Sequence, residues 1–154
     1  MVNITNMNVK KDFTKQQACF AELTPEEIEG LASLLVEKHF SAGQLIVTEG
    51  DPVDSVYLIV EGTADVRIIT DTNNPDVLNS VATLGPGQSI GLNDTGFYSL
   101  SGKRTATVIA ITDMVLLYLS LPEFHGFALS NHHVSEVMRI NAVVAFDNEE
   151  RSSS

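Results

Sequence analysis

The sequence predicts a mainly β domain, a sandwich or a barrel, with a helix before it and a helix after it along the chain. Residues 40–119 consist of short runs rich in Val, Ile, Leu, Thr and Tyr, separated by Gly, Pro, Asp and Asn. Many short strands at regular spacing are typical of sandwiches and barrels. Apolar residues at the three- and four-residue spacing of a helix occur on both sides of this region. The length of 154 residues suits one domain with its own core.

The first helix is predicted to begin after Thr24. The segment 24–27 combines a hydroxyl cap, a proline at the first helical position and a glutamate three residues after the cap. The helix is expected to run to about Lys38 and to bury one apolar stripe. The residues of that stripe are Ile28, Leu31, Ala32, Leu35 and Val36.

Six strands and several turns rich in glycine, proline and aspartate are predicted in the central region. Gly50 and Gly62 are expected to supply turns in which a residue with a Cβ atom would be strained. The predicted strands are 45–47, 56–60, 64–70, 77–84, 105–110 and 114–120.

The last part of the domain is predicted to be helical. Pro122 is expected to open a short helical turn, and Ser130 is expected to cap a longer helix that runs to about Phe146. The inner face of that helix is predicted to contain Val134, Val137, Met138, Asn141, Val144 and Ala145.

The sequence predicts a flexible N-terminal arm at residues 1–12, a domain at 13–147 and a solvated tail at 148–154. The arm is polar and shows no apolar period, and the tail ends in Arg and three Ser residues. Too few residues follow Phe146 for a helix-turn-helix, so the chain is not expected to be a complete DNA-binding regulator.

Net charge, the length of the longest apolar run and cysteine content limit the partners and the location expected of the chain. Nine Lys and Arg against twenty Asp and Glu give a formal net charge of −11, which repels nucleic acid and anionic membrane surfaces. The apolar run 114–121 is far shorter than the ~20 residues of a membrane-spanning helix. The single Cys19 cannot form an internal disulfide, which favours a reducing, cytoplasmic location, and it is expected to pack as a small apolar group.

Metal and catalytic sites are not predicted, and neither is a cofactor. His132 and His133 are adjacent, so on a helix their side chains diverge, and no carboxylate stands at partner spacing. Residues 40–123 contain no histidine, and the chain contains no Gly-x-Ser-x-Gly motif. We therefore expect a protein that is not an enzyme and that carries His132 and His133 on the surface.

A candidate anion site lies between the fourth and fifth predicted strands. The glycine-containing segment 85–91 leads into residues 92–96, which could form one turn of helix with free amides at its start. Arg104 stands at the mouth of the next strand, where its planar guanidinium could donate two parallel hydrogen bonds to a phosphate. These residues alone also fit a solvated glycine loop and a surface arginine.

The order and spacing of several motifs resemble the cyclic nucleotide-binding domain family over roughly residues 13–146. The motifs lie at residues 20–24, 40–46, 49–62, 84–87, 90–91 and 104–108. The resemblance implies an eight-stranded jelly-roll β-barrel flanked by N-terminal and C-terminal helices. It also implies a ligand, a cyclic nucleoside monophosphate such as cAMP or cGMP, whose binding moves the C-terminal helices.

The resemblance also implies the roles of individual residues. Arg104 would hold the cyclic phosphate, and amides near Thr105 and Ala106 would complete the cradle. Gly91 would let the backbone approach the sugar. The Thr105 hydroxyl could contact the phosphate and a guanine edge, which permits either nucleotide.

One position departs from the family pattern. Leu92 stands where the family usually has a glutamate that accepts the ribose 2′-hydroxyl, and the segment from Ile90 to Val108 is a few residues longer than usual. Asn93 or Asp94 could supply the acceptor, although Asp94 also suits a helix cap. Two hypotheses follow: a sensor that signals through its C-terminal helix, or a domain that binds no nucleotide and acts as an interaction or regulatory module. A protein partner, or a second copy bound through that helix, fits either one.

Overall fold

The computed structural model describes residues 6–93, 96–97, 102–134 and 136. The helices are α1 Met7–Lys15, α2 Pro25–Ala32 and α3 Leu121–Ser130, with a 3₁₀ helix at Ala18–Phe20. The strands are β1 Val36–Phe40, β2 Leu45–Val47, β3 Ser55–Glu61, β4 Ala64–Ile69, β5 Leu78–Leu84, β6 Ser89–Ile90, β7 Leu92–Asn93, β8 Gly96–Phe97, β9 Thr107–Ala110 and β10 Met114–Ser120.

Eight of the strands form two antiparallel sheets, as the predicted jelly-roll fold requires. The first sheet has the order β1-β10-β3-β6 and the second the order β2-β9-β4-β5. The other two strands, β7 and β8, pair with each other in a short ribbon. The prediction of a mainly β domain with flanking helices is confirmed.

The first sheet is the middle layer of the molecule. One of its faces packs against the second sheet, through residues such as Ile59 and Leu116 that meet Val108. The other face packs against the helices, and we call the residues of this cluster the helical core; Leu58 and Leu117 belong to it. Because neighbouring residues on a strand point to opposite faces, β10 is buried on both sides and reads as an unbroken apolar run.

The first predicted helix is shorter than expected, and the prediction that it runs to about Lys38 is wrong. Helix α2 begins with the predicted capping box at Thr24 but ends at Ala32. Val36 is 46% exposed and belongs to β1, where it lies opposite Tyr118 of β10. The hydrogen-bonding edge of β10 therefore overrides the helical spacing of the apolar residues, as tertiary context commonly does.

The N-terminal arm is helical from Met7 onwards, which differs from the sequence prediction for residues 7–12. The Asn6 side chain caps α1 by accepting a hydrogen bond from the Val9 amide at 3.0 Å. Thr14 is buried near the end of the helix, and Phe13 packs against the helical core. Since few apolar side chains anchor α1, its sequence carries no clear apolar period.

Helix α3 follows β10 directly. The Ser120 hydroxyl caps it by accepting a hydrogen bond from the Glu123 amide at 3.3 Å. Ser130, predicted as the cap of a second helix, is instead the last residue of α3, and the chain is helical again at 132–134 and at 136. Val134 is fully buried in the helical core. The other predicted inner-face residues, Val137, Met138, Asn141, Val144 and Ala145, lie outside the described residues, and no helix among those described could span a membrane.

Candidate functional site

A cavity of about 500 Å³ opens between the sheets and the N-terminal segment. Its walls combine apolar side chains from the strands with polar groups from the loops, and its charged side chains are the cations Lys103 and Arg104. No carboxylate lines it within the described residues. The lining residues are Gln16, Gln17, Ala18, Val47, Val53, Val66, Leu84, Gly87, Gln88, Ser89, Ile90, Gly91, Leu92, Lys103, Arg104, Thr105, Ala106 and Val108.

The backbone of Arg104 is held by the loop between β2 and β3. The Arg104 amide donates to the Asp51 carbonyl at 2.8 Å, and the Gly50 amide donates to the Arg104 carbonyl at 2.8 Å. The Val53 amide donates to the Gly102 carbonyl at 2.7 Å just before it. Gly50 has the positive φ of 89° expected of a turn glycine. These bonds place Arg104 at the end of the two sheets, with its side chain directed inward.

The described residues satisfy only part of the hydrogen-bonding capacity of the Arg104 side chain. The residue is 8% exposed, and its Nη2 donates to the Ser55 carbonyl at 2.8 Å and to the Ser55 hydroxyl at 3.2 Å. Asp54 Oδ1 lies 3.7 Å from Nη2, but the Asp54 side chain is 80% exposed. Nη1 is buried and has no hydrogen-bond partner among the described residues. A buried donor without a partner is costly, so this atom favours an added acceptor.

The charges around Arg104 also favour an added acceptor. Burial lowers the pKa of Arg104, while the negative charge of Asp54 and then the neighbouring Tyr57 and Asp51 act to raise it. An arginine side chain nevertheless stays protonated in proteins. Because the Asp54 carboxylate is exposed to water, it screens the guanidinium only weakly. The site therefore presents a buried positive charge in a chain of strongly negative net charge.

Gly91 is brought against the same guanidinium. Strand β6 pairs with β3, Ile90 lying opposite Tyr57, and the chain then turns at Gly91 with φ of 94°. A Cβ atom at this position would lie 3.0 Å from Arg104 Nη1 and 3.0 Å from Val56 Cγ1. Glycine is thus required both by the positive φ and by the close approach of the backbone to the charged side chain.

The remaining predicted site residues fall into three groups. Thr105 and Ala106 line the cavity beside Arg104, Thr105 being exposed and Ala106 half-buried. Leu92 borders the cavity but is 7% exposed and belongs to the helical core with Cys19 and Phe20. Asn93 lies in β7, and Asp94 lies outside the described residues.

The predicted helical turn at 92–96 is wrong. Leu92 lies opposite Phe97 and Asn93 lies opposite Gly96, in an antiparallel ribbon formed by β7 and β8. The backbone groups at Leu92 therefore pair across the ribbon, and no helix N-terminus forms there to bind an anion. The burial of Leu92 in the helical core agrees with this extended path, because it draws the side chain toward the 3₁₀ helix.

Two sets of residues around the site were not predicted, one in contact with Arg104 and one in the cavity lining. Ser55, which accepts hydrogen bonds from Arg104, lies in the 49–62 motif, so the resemblance could have indicated it. Gln16, Gln17 and Ala18 line the cavity, although no motif precedes residue 20. Their contribution depends on how the N-terminal segment folds back over the sheets.

The histidine pair does not form a metal site in the described part of the chain, where no cluster of three His, Cys, Asp or Glu side chains occurs. His133 Nδ1 instead lies 2.7 Å from Glu27 Oε1, at the start of α2. Burial acts to raise the pKa of Glu27, but hydrogen bonds from Thr24 and His133 outweigh it and the pKa is lowered. Cys19 is buried in the helical core, as predicted.

The chain is similar to several known proteins. The chain is 30% identical over 112 residues to glutaminase 2 of Bradyrhizobium diazoefficiens, covering 73% of this chain and 16% of that protein. It is 30% identical over 125 residues to a cyclic nucleotide-gated potassium channel of Mesorhizobium japonicum, covering 80% of this chain and 31% of the channel. The chain thus spans less than a third of the length of these relatives.

A solved structure shares the fold over nearly the whole chain. It is the N-terminal domain of a transcriptional regulator from Streptomyces coelicolor, with a TM-score of 0.76, 24% identity, and coverage of 93% of this chain and 96% of that one. The family model described as the cyclic nucleotide-binding domain matches residues 37–131, which include Gly91, Leu92 and Arg104. The chain therefore belongs to the cyclic nucleotide-binding domain family.

Proposed function

We propose that this domain binds a cyclic nucleoside monophosphate, cAMP or cGMP, with the cyclic phosphate held by Arg104. The observation that carries the proposal is the buried Nη1 of Arg104, which has no partner among the described residues and belongs to a side chain that lines the cavity. A phosphate oxygen would supply the missing acceptor and would neutralise the charge. The proposal requires no cofactor and no catalytic step.

The cavity matches such a ligand in size and polarity. Its volume of about 500 Å³ lies within the usual range for small-molecule sites. Apolar side chains such as Val47, Val66 and Val108 suit the faces of a purine, and the cations suit the phosphate. The exposed Thr105 hydroxyl, next to Arg104, is available to either the phosphate or a guanine edge. Affinity for both nucleotides is therefore compatible with the cavity.

Signalling through the C-terminal helix is the second part of the proposal. Leu92 borders the cavity and shares the helical core with Phe124 of α3 and with Val134. Ligand contact near Leu92 would thus act on the packing that holds the C-terminal segment. The ligand transmits a signal only if it binds one position of that segment better than another. When ligand binding releases or captures the C-terminal segment, that segment would act on a protein partner or on a second copy of the chain.

Calorimetric titration with cAMP and cGMP tests the phosphate contact. We expect Arg104→Lys to weaken binding by about ten- to a hundredfold, because a hydrogen bond to a charged group contributes about 1.5–3 kcal/mol. Arg67→Lys is the matched control, since Arg67 pairs with Asp65 and does not line the cavity. Equal affinities for wild type and Arg104→Lys would contradict the proposed role of Arg104.

The alternative function, a nucleotide-free interaction module, is favoured by one observation. Leu92 is committed to the helical core and offers no acceptor to a sugar hydroxyl. A thermal-shift screen over cyclic mononucleotides and dinucleotides separates the two functions, because a ligand stabilises a protein only by binding its native state. Stabilisation that disappears in Arg104→Lys supports the sensor, and no stabilisation by any nucleotide supports the interaction module.

A further inference from the structure

The N-terminal segment forms one wall of the cavity. Three consecutive residues at the junction between α1 and the 3₁₀ helix, Gln16, Gln17 and Ala18, line the same cavity as Arg104. Two of the three carry amide side chains, which can both donate and accept hydrogen bonds. The wall is therefore polar but uncharged.

This wall is held in place by a buried side chain. Gln17 is 7% exposed, and its Nε2 donates to the Gly87 carbonyl at 3.2 Å and to the Phe13 carbonyl at 3.4 Å. The Gly87 amide in turn donates to the Ile59 carbonyl of β3 at 2.9 Å. A chain of hydrogen bonds thus connects the junction to the strand that also begins with Ser55, the partner of Arg104.

Gln16 lies close to the turn at the cavity edge. Gly87 has φ of 88°, and a Cβ atom there would stand 2.8 Å from Gln16 Oε1. The absence of a side chain at Gly87 therefore leaves room for the Gln16 amide over the turn. Unlike Gln17, Gln16 is exposed, so its amide group is accessible to a molecule in the cavity.

The cavity lining supplies two kinds of polar group. Lys103 and Arg104 contribute cationic side chains, and the junction contributes the amide side chains of Gln16 and Gln17. A molecule with an anionic end and an uncharged, hydrogen-bonding end satisfies both kinds of group. In a cyclic nucleotide these are the phosphate and the sugar or base.

We propose that Gln16 is a specificity-determining residue that hydrogen-bonds the uncharged half of the bound nucleotide, and that Gln17 positions it. This inference rests on the proposed function of the cavity. It assigns the N-terminal helix a direct part in binding, in addition to the strands and the loop that hold the phosphate.

Titrations of Gln16→Ala with cAMP, cGMP and 2′-deoxy-cAMP test the inference. We expect affinity for at least one ribonucleotide to fall about three- to tenfold, the contribution of one hydrogen bond. The loss should vanish for the analogue that lacks the group contacted: with 2′-deoxy-cAMP for a sugar contact, or with one of the two bases for a base contact. Asn8→Ala, which removes an exposed amide from α1 away from the cavity, is expected to bind like wild type.

The positioning role of Gln17 has its own readout. We expect Gln17→Ala to change the ratio of affinities among the same three nucleotides, a change that a general loss of stability would not produce. An unchanged ratio in Gln17→Ala would contradict this positioning role. Thermal melting of each variant shows that the compared proteins are folded at the titration temperature.

The outcomes distinguish a failure of this inference from a failure of the proposed function. If Gln16→Ala binds all three nucleotides like wild type while Arg104→Lys loses affinity, the specificity role is wrong and the phosphate site stands. A uniform loss in Gln16→Ala for all three nucleotides also overturns the specificity role. If wild type binds none of them, the proposed function and this inference are both wrong.

Discussion

The two sides of the cavity differ in what their residues contribute. The side at residues 102–106 holds a buried guanidinium whose Nη1 lacks a partner within the described residues. The side at Gly91 and Leu92 directs its large side chain away, into the helical core. The comparison shows that the first segment leaves a buried donor without a partner among the described residues, whereas the second packs its large side chain into the fold. The proposed anion site thus borders a segment that serves packing.

Replacing Leu92 should have the largest effect on stability. We expect Leu92→Ala to lower the free energy of unfolding by about 2–5 kcal/mol, because it removes a buried side chain from the helical core and leaves a cavity. Leu129→Ala is the matched control, since Leu129 is 86% exposed on α3. Urea denaturation of the two variants measures the difference, and equal midpoints would remove the packing role of Leu92.

Replacing Gly91 should lower both the stability of the protein and its affinity for nucleotide. We expect Gly91→Ala to cost about 1–3 kcal/mol, because alanine is strained at positive φ. Its Cβ would also press on Arg104 Nη1 at 3.0 Å, so nucleotide affinity should fall as well. Gly102→Ala separates the two causes: Gly102 has φ of 75° but open space around it.

The same two measurements, denaturation and nucleotide titration, apply to both glycine variants. Gly102→Ala should be destabilised by its backbone while its affinity stays nearer to that of wild type. If Gly91→Ala and Gly102→Ala lose affinity equally, the loss in Gly91→Ala is not caused by steric contact with Arg104.

Replacing Arg104 should abolish nucleotide binding while changing the stability of the ligand-free protein only slightly. We expect Arg104→Met, without ligand, to change the free energy of unfolding by only about 1 kcal/mol, because the substitution removes the bonds to Ser55 together with a buried donor that has no partner in the described part of the chain. Ligand-induced stabilisation, about 2.7 kcal/mol for a ligand at a hundred times its Kd, should disappear. Unfolding curves with and without cAMP measure both quantities. A severe loss of stability without ligand would show that the guanidinium is mainly structural.

The smallest predicted effect concerns Glu27, which does not line the cavity. Its pKa is lowered on folding, so its carboxylate stabilises the protein above its ordinary pKa of 4.5 and loses that contribution as the pH falls through the lowered value. We expect Glu27→Gln, which keeps a capping side chain, to flatten the dependence of stability on pH in that acidic range. Denaturation at several pH values measures the slope, and a slope equal to that of wild type would contradict the role of Glu27.

Local patterns were sufficient to predict much of the fold. The six strands could be predicted because apolar runs alternate with turn residues, and the capping box at Thr24 marked the start of α2. The end of α2 could not be predicted in this way, since the pairing of Val36 with Tyr118 depends on a strand about eighty residues later in the chain. Similarly, the ribbon at Leu92 replaced the expected helical turn because burial against the 3₁₀ helix is a tertiary contact.

The sequence by itself determined the class of the domain and, through its family resemblance, singled out Arg104 and Gly91. Turn chemistry and apolar periodicity are local properties, so the chain carries them before it folds. Only the tertiary structure decided that Arg104 Nη1 has no partner among the residues that the structure describes, that Leu92 serves the helical core and that Gln16 and Gln17 border the cavity. Those outcomes depend on which distant segments meet and on how much water they exclude, and neither quantity is encoded at a single position.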